Sequence, residues 1–255
     1  MKAQKNMSGE ENKTQAVNDP IIGAMFESGA HFGYSRSKRH PSMLPIIFGV
    51  KNRVEIFDLE KTKQYLDKAK SFVESLVASG KNVLFVGGKT ESQKIIRDGA
   101  ELAGMPYVSG RWIGGTLTNF GQIKTRTGKL VDLRQKKEKG ELIKYTKKER
   151  LMIDRDIERL EAIFSGLISM NNLPGALFVI DPKKEKTAVA EAQSLKIPVI
   201  SLMSSDCDLK GVEYPVPGND SALSSIKFFT SEIVSSVKVG KSRHVPISVS
   251  TEVKN

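Results

Sequence analysis

The fold class is decided by one stretch of this sequence, Val83-Leu84-Phe85-Val86-Gly87-Gly88-Lys89-Thr90. Its first four residues are all apolar, which is typical of a short strand buried on both faces in a parallel sheet. The two glycines suit a tight turn, and a helical pattern follows from about Glu91 to Ala103. A buried strand that turns directly into a helix is the repeating unit of parallel α/β domains.

The same alternation of strands and helices continues outward from this stretch. Predicted strands cover Ile46–Val50, Val54–Phe57, Pro106–Ser109, Ala176–Ile180 and Pro198–Leu202. One predicted helix begins after Asp58, which can cap it, and ends at Gly80. Two further helices are predicted at Thr187–Leu195 and Ser221–Val237. This order predicts an α/β domain over residues 20–121 and 171–240, with a parallel sheet and helices on both of its faces.

Residues 122–170 interrupt the alternation, because they contain no strand candidate. In their second half, apolar residues recur at steps of four and three, which is the a/d seam of a coiled coil: Ile153, Ile157, Leu160, Phe164 and Leu167. The first half offers Ile123, Leu130 and Leu133 to the same seam. Thr146 and Glu149 form a capping box that would start the second helix. We therefore predict an antiparallel helical hairpin, inserted into the α/β domain and protruding from it; the alternative is that both helices pack on the body.

Composition points to a polyanionic partner. The 255 residues include 40 Lys and Arg against 29 Asp and Glu, a formal net charge of +11, which favours nucleic acid or an anionic membrane surface. Residues 1–19 are polar and predicted to be a disordered tail, and residues 241–255 a flexible one. No apolar run approaches the roughly 18 residues of a membrane helix, and no secretory signal is visible. We expect a cytoplasmic protein without a membrane partner, with an organelle matrix as the alternative setting.

Enzymatic chemistry is the alternative that the opening stretch raises. Gly88-Lys89-Thr90 resembles the end of a phosphate-binding loop, and Asp181 ends a later strand, as a magnesium-steadying Asp would. The complete loop needs a glycine five positions before Gly88, and that position is Val83. The histidines lack metal-ligand spacing, the single cysteine, Cys207, excludes a cysteine-clustered zinc site, and no serine lies in a nucleophile elbow. The sequence predicts no catalytic residue, metal, cofactor or small-molecule substrate.

Two basic stretches without any carboxylate, residues 28–54 and 104–130, favour nucleic acid as the partner. The first also contains His31, Phe32 and Tyr34, which can stack on unpaired bases. The second contains a glycine-rich loop that can approach a sugar–phosphate backbone closely. The candidate RNA-binding residues are Arg36, Lys38, Arg39, Lys51, Arg53, Arg111, Trp112, Lys124, Arg126 and Lys129. The alternatives are a solvated basic face, a core position for Trp112, and a hairpin that binds protein.

Eight segments in order resemble a known family: Gly29–Gly33, Ile47–Asn52, Asp58–Thr62, Leu84–Gly87, Arg111–Asn119, Leu173–Asp181, Ile197–Val199 and Val216–Asp220. Through them residues 20–240 are similar to the ribosomal protein S2 family. The resemblance implies a flavodoxin-like domain with a protruding helical hairpin, and a structural, non-enzymatic role in the small ribosomal subunit and in translation. The implied partners are small-subunit ribosomal RNA and neighbouring ribosomal proteins, including the large messenger-binding protein built of repeated OB domains. Two segments depart from the family pattern, Gly33-Tyr34 in place of Gly-His and Ser204-Ser205-Asp206 in place of Asp-x-Asn.

Overall fold

The computed structural model describes residues 19–243 and contains eight strands and seven α-helices within them. The strands are β1 (Phe32–Ser35), β2 (Ile47–Lys51), β3 (Val54–Phe57), β4 (Val83–Gly87), β5 (Tyr107–Ser109), β6 (Ala176–Ile180), β7 (Val199–Met203) and β8 (Tyr214–Pro217). The helices are α1 (Pro20–Glu27), α2 (Leu59–Ala78), α3 (Thr90–Ala103), α4 (Phe120–Glu138), α5 (Lys147–Phe164), α6 (Lys186–Ser194) and α7 (Leu223–Arg243). The two predicted tails lie outside the described residues, apart from Asp19 and residues 241–243.

The main sheet is parallel and has five strands in the order β5-β4-β6-β7-β8. Counted from β4 this order is 2-1-3-4-5, which is that of flavodoxin-like domains. Every residue of β4, β6 and β7 is buried, because helices cover both faces of the sheet. The predicted parallel sheet with helices on both faces is therefore confirmed.

Two apolar cores lie on opposite faces of this sheet. Phe85 and Phe178 point to one face, where they pack edge to face with ring centroids 5.4 Å apart, under α2, α3 and α7. Leu84 and Leu177 point to the other face, into a core to which α6 and apolar residues of α4 and α5 also contribute. Because side chains alternate along a strand, each apolar strand contributes to both cores.

A second, antiparallel sheet has the order β1-β3-β2. The sequence predicted β2 and β3 as an extended pair, which is confirmed, but not β1 or the short helix α1, which Asp19 caps. The sequence also missed β8, since two of its four residues are prolines. Proline cannot donate to a ladder and is accepted only where a strand lies at a sheet edge, as β8 does.

Helices α4 and α5 pack antiparallel. Arg134 pairs with Glu161 at 2.6 Å, and Lys137 pairs with Asp154 at 2.7 Å. A later residue of α4 therefore meets an earlier residue of α5, as antiparallel packing requires. Leu130, Ile157 and Leu160 are buried between them, and the predicted capping box at Thr146 is present. The predicted start of α5 is therefore confirmed.

Helix α7 runs to Arg243, so it takes in residues 241–243, where the sequence predicted the start of a tail. Lys241 Nζ donates a hydrogen bond to the carbonyl of Ala103 at 2.7 Å, and Arg243 pairs with Glu74 at 2.8 Å. These contacts hold the last helical turn on α2 and α3. Within residues 19–243, the helices are too short or too polar for one of them to cross a bilayer.

Candidate nucleic-acid interface

The first basic stretch is held at the carboxyl edge of the parallel sheet. The backbone N–H of Tyr34 donates to Ser205 Oγ at 2.9 Å, and that of His40 donates to the Ser205 carbonyl at 2.8 Å. Asn219 binds the carbonyls of Gly29 and Ala30, at 3.0 Å each. Ser205 and Asn219 follow β7 and β8, so residues 29–40 lie over the ends of these strands. The two departures from the family pattern, at Tyr34 and Ser205, are thus in direct contact.

The second basic stretch contains β5, and all of its cations follow that strand, whose carboxyl end lies beside that of β4. The backbone N–H of Gly110 donates to the carbonyl of Gly87 at 3.1 Å. The two stretches are 50 or more residues apart along the chain. The parallel topology therefore anchors both at one edge of the molecule.

Lys89 fills the crevice where flavodoxin-like domains bind ligands, between β4 and β6 where the strand order reverses. Its Nζ lies 2.7 Å from Asp181 Oδ2 and 3.1 Å from Asp220 Oδ2, and Asp220 is fully buried. Burial would lower the pKa of Lys89, but Asp220 and Asp181 raise it well above its ordinary value. Lys89 and Asp181, the two residues that suggested a phosphate site, therefore pair with each other. The Lys89 ammonium group contacts two carboxylates of this chain where a phosphate-binding lysine would contact the phosphate.

Glu191 of α6 holds the loop of residues 111–119. Its buried carboxylate accepts hydrogen bonds from Trp112 Nε1 at 3.0 Å and from the backbone N–H groups of Gly115 and Leu117 at 2.8 and 2.9 Å. Thr118 donates twice more, from its N–H at 3.2 Å and its hydroxyl at 3.3 Å. Burial would raise the pKa of Glu191, but these donors lower it below the ordinary glutamate value. One carboxylate thus fixes the whole loop.

Sequence interpretation missed Glu191, although a signal was present. Glu191 lies three residues after Ala188 and one before Ala192, both fully buried. Helical spacing therefore places it on the face of α6 that meets the core. A carboxylate on such a face needs donors, and a loop rich in free N–H groups supplies them.

Eight of the ten predicted RNA-binding residues are exposed at the surface: Arg36, Lys38, Lys51, Arg53, Arg111, Lys124, Arg126 and Lys129. None of them makes an ion pair with a carboxylate in the part of the chain that the structure describes. Lys51 is the last residue of β2, and Arg53 lies on the turn between β2 and β3. Lys38 and Lys124 lie over the rings of Tyr34 and Phe120, each at 5.5 Å.

The other two predicted residues have internal partners. Arg39 is half-buried and pairs at 2.9 Å with Glu55, whose side chain is fully buried. Trp112 is only 8% exposed and donates its indole N–H to Glu191, which is the core position that the sequence left open as an alternative. In this position it holds the loop that presents Arg111, and a direct RNA contact by Trp112 stays a prediction.

A column of three rings lies beside the first basic stretch. His31 stacks on Phe26 with centroids 4.5 Å apart and meets Phe32 at 4.0 Å. Burial lowers the pKa of His31, which favours the uncharged ring. Phe26 and Phe32 are exposed, and Phe48 on β2 is 81% exposed. Phe26 lies in the helix that the sequence does not predict, so of these three rings the sequence identifies only His31 and Phe32 as stacking groups.

Residues 19–243 hold no group of three His, Cys, Asp or Glu side chains arranged to bind a metal ion. Cys207 is buried, and its pKa is raised by burial and by the neighbouring Asp206 carboxylate, so its thiol is a poor nucleophile. The chemistry that this region offers is hydrogen bonding, charge and ring stacking.

The family model described as ribosomal protein S2 matches residues 25–240. The chain is 43% identical over 217 residues to the small ribosomal subunit protein uS2 of Coprothermobacter proteolyticus, covering 85% of this chain and 81% of that protein. It is 43% identical over 220 residues to uS2 of a Roseiflexus species, covering 86% and 84%. It is 40% identical over 229 residues to uS2 of Geotalea uraniireducens, covering 89% and 90%.

Proposed function

This chain belongs to the ribosomal protein S2 family, a structural and non-enzymatic family, and we propose that it binds small-subunit ribosomal RNA through the two basic stretches at the carboxyl edge of its sheet. The observation that carries this proposal is the set of eight exposed cations that have no carboxylate partner among residues 19–243. Such cations gain most by meeting phosphate groups, whose condensed counterions they release.

The rigidity of the frame supports the proposal. Phosphate contacts are individually modest, so a protein gains from holding many donors in fixed positions. Here Ser205 and Asn219 hold the first stretch and Glu191 holds the loop of the second. The positions of Arg36, Lys38 and Arg111 relative to the sheet are therefore set before RNA is met.

We extend the proposal to the insertion of residues 122–170, as an arm that protrudes from the α/β domain of residues 20–121 and 171–240. Helix α4 has 19 residues, so the arm would reach about 28 Å. Near its far end Ile143, Leu151 and Met152 are exposed, in contrast to the buried seam nearer the sheet. Lys124, Arg126 and Lys129 on the first turns of α4 would contact RNA where the arm leaves the domain.

We also propose cytoplasmic ribosomes as the setting and neighbouring ribosomal proteins as further partners, including the large messenger-binding protein built of repeated OB domains. The family resemblance supports this part. The exposed apolar side chains at the end of the arm are of the kind that a protein neighbour covers.

The test reverses two charges of the first stretch with Arg36→Glu and Lys38→Glu, leaving Arg39 to its partner Glu55. We expect the double variant to fold normally but to be depleted from small subunits, as measured by quantitative mass spectrometry of sucrose-gradient fractions. Loss of phosphate attraction is the reason, since both side chains are exposed and neither pairs with a carboxylate in the described part of the chain.

The matched control is Lys81→Glu with Lys196→Glu. Both lysines are exposed and lie just before β4 and β7, at the opposite edge of the sheet. The control makes the same change in net charge and should leave occupancy at the wild-type level. Equal occupancy of the two double variants would contradict the proposed interface.

A further inference from the structure

A cleft of about 380 Å³ opens at the carboxyl edge of the sheet, beside the crevice that Lys89 fills. Its walls come from the turn after β4, the first turn of α3, the loop after β5 and the segment that leads into α6. They include Gly88, Gln93, Arg111, Lys184, Glu185 and Thr187. Arg111 and Lys184 are exposed. The volume is in the range of sites that hold small ligands or single groups of larger ones.

Glu185 is the unusual member of this cleft. It is 6% exposed, and a Cβ added to Gly88 would collide with its Oε1, so the glycine makes room for the carboxylate. The backbone N–H of Gly88 donates to it, but no side chain among the described residues does. Burial raises its pKa, although Lys184 partly offsets this effect. Glu191, in contrast, receives five hydrogen bonds.

A buried carboxylate with spare acceptor capacity favours a ligand that brings N–H donors. The two cations of the cleft favour a ligand that also carries negative charge. A nucleotide meets both demands, and guanine meets the first one best. Its N1–H and N2–H groups point the same way and match the two oxygens of a carboxylate. Adenine, cytosine and uracil each present an acceptor beside their donor, which would face a carboxylate oxygen.

We propose that this cleft receives the base of an unpaired guanine nucleotide of RNA, with its Watson–Crick edge on Glu185 and its phosphates on Arg111 and Lys184. This proposal rests on the proposed RNA-binding function and adds a base-specific contact to it. Recognition of bases turned out of loops and bulges is the usual way in which proteins identify RNA sequence.

The test measures binding of the full chain to fluorescein-labelled UUGUU, UUAUU and UUIUU RNA by fluorescence anisotropy at low ionic strength, where I is inosine. We expect guanine to bind on the order of tenfold more tightly than adenine, as a bidentate contact would give. Inosine, which keeps N1–H but lacks the amine, should fall between them. Glu185→Gln should abolish the preference, because an amide offers one donor and one acceptor.

The control Glu91→Gln changes an exposed glutamate of α3 and should keep the guanine preference. Equal binding of the wild-type chain to all three RNAs, or a preference for adenine, would overturn the guanine site. If that binding still weakened with added salt, the proposed RNA-binding function would stand. The wild-type series decides this without any variant. Failure to bind any of the three, together with failure to bind structured small-subunit RNA, would overturn both proposals.

Discussion

Two groups of lysines, one in the crevice at the carboxyl edge of the sheet and one in the first basic stretch, differ in burial and in their carboxylate partners. Lys89 in the crevice is buried and neutralised by Asp181 and Asp220. Lys38 and Lys51 in the first basic stretch are exposed and have no carboxylate partner among residues 19–243. The first arrangement contributes to the integrity of the fold and the second leaves charge available for a partner. A lysine therefore indicates an RNA contact only where the surrounding chain leaves it unpaired.

The largest expected effect is on the paired region. Lys89→Met would leave two carboxylates buried without a cation, and breaking a buried pair in this way costs about 3–5 kcal/mol. Urea unfolding at neutral pH should show this loss, while Arg36→Met with Lys38→Met should stay within about 0.5 kcal/mol of the wild type. Equal loss in both variants would remove the distinction between the two regions.

An intermediate effect is expected at Glu191, where a buried carboxylate serves the loop that presents Arg111. Glu191→Ala would deprive Trp112 and three backbone N–H groups of their acceptor, which should cost about 2–3 kcal/mol. Hydrogen exchange at Gly115 and Leu117 should accelerate, and RNA affinity should fall although Arg111 is unchanged. Glu91→Ala, on an exposed face, is the control; unaltered exchange at Gly115 in Glu191→Ala would count against the anchoring role.

The smallest expected effect is a pH dependence that separates two buried glutamates. The lowered pKa of Glu191 means that its contribution to stability is present above the ordinary glutamate pKa of about 4.3 and is lost as pH falls through the folded value. The deficit of Glu191→Gln in urea should therefore be full at pH 7 and shrink on acidification. The pKa of Glu185 is raised, so Glu185→Gln should be at least as stable as the wild type at pH 7. A deficit of Glu191→Gln that persists unchanged into acid would contradict this account.

A strand or helix can be predicted from the sequence when its own residues favour that conformation, and not when contacts with distant residues decide it. The strand Ala176–Ile180 was predicted to the residue, because a strand buried on both faces is apolar throughout. The strand β8 was missed because its prolines contradict strand propensity, and only its edge position makes them acceptable. The strand β1 mixes polar and aromatic residues, so its pairing with β3 decides its conformation.

The candidate interface was predictable in its charges but not in their partners. Exposure of Arg36, Lys38 and Arg111 follows from their type and from the absence of acids nearby in sequence. The partners Glu55 of Arg39 and Glu191 of Trp112 are distant in sequence or lie in another element, so only the folded chain could reveal them. Sequence reasoning identified which segments carry charge, and tertiary contacts decide which charges remain available.

The prolines of β8 have one further consequence, for the protein before it reaches its partners. Gly218 donates its N–H to Met203 on β7, and donors alternate in direction along a strand, so positions 215 and 217 face away from the sheet. Pro215 and Pro217 occupy these positions, so the unpaired edge of β8 presents no N–H donor there to a strand of another molecule. We therefore expect these prolines to disfavour edge-to-edge pairing of β8 between newly made copies of the chain.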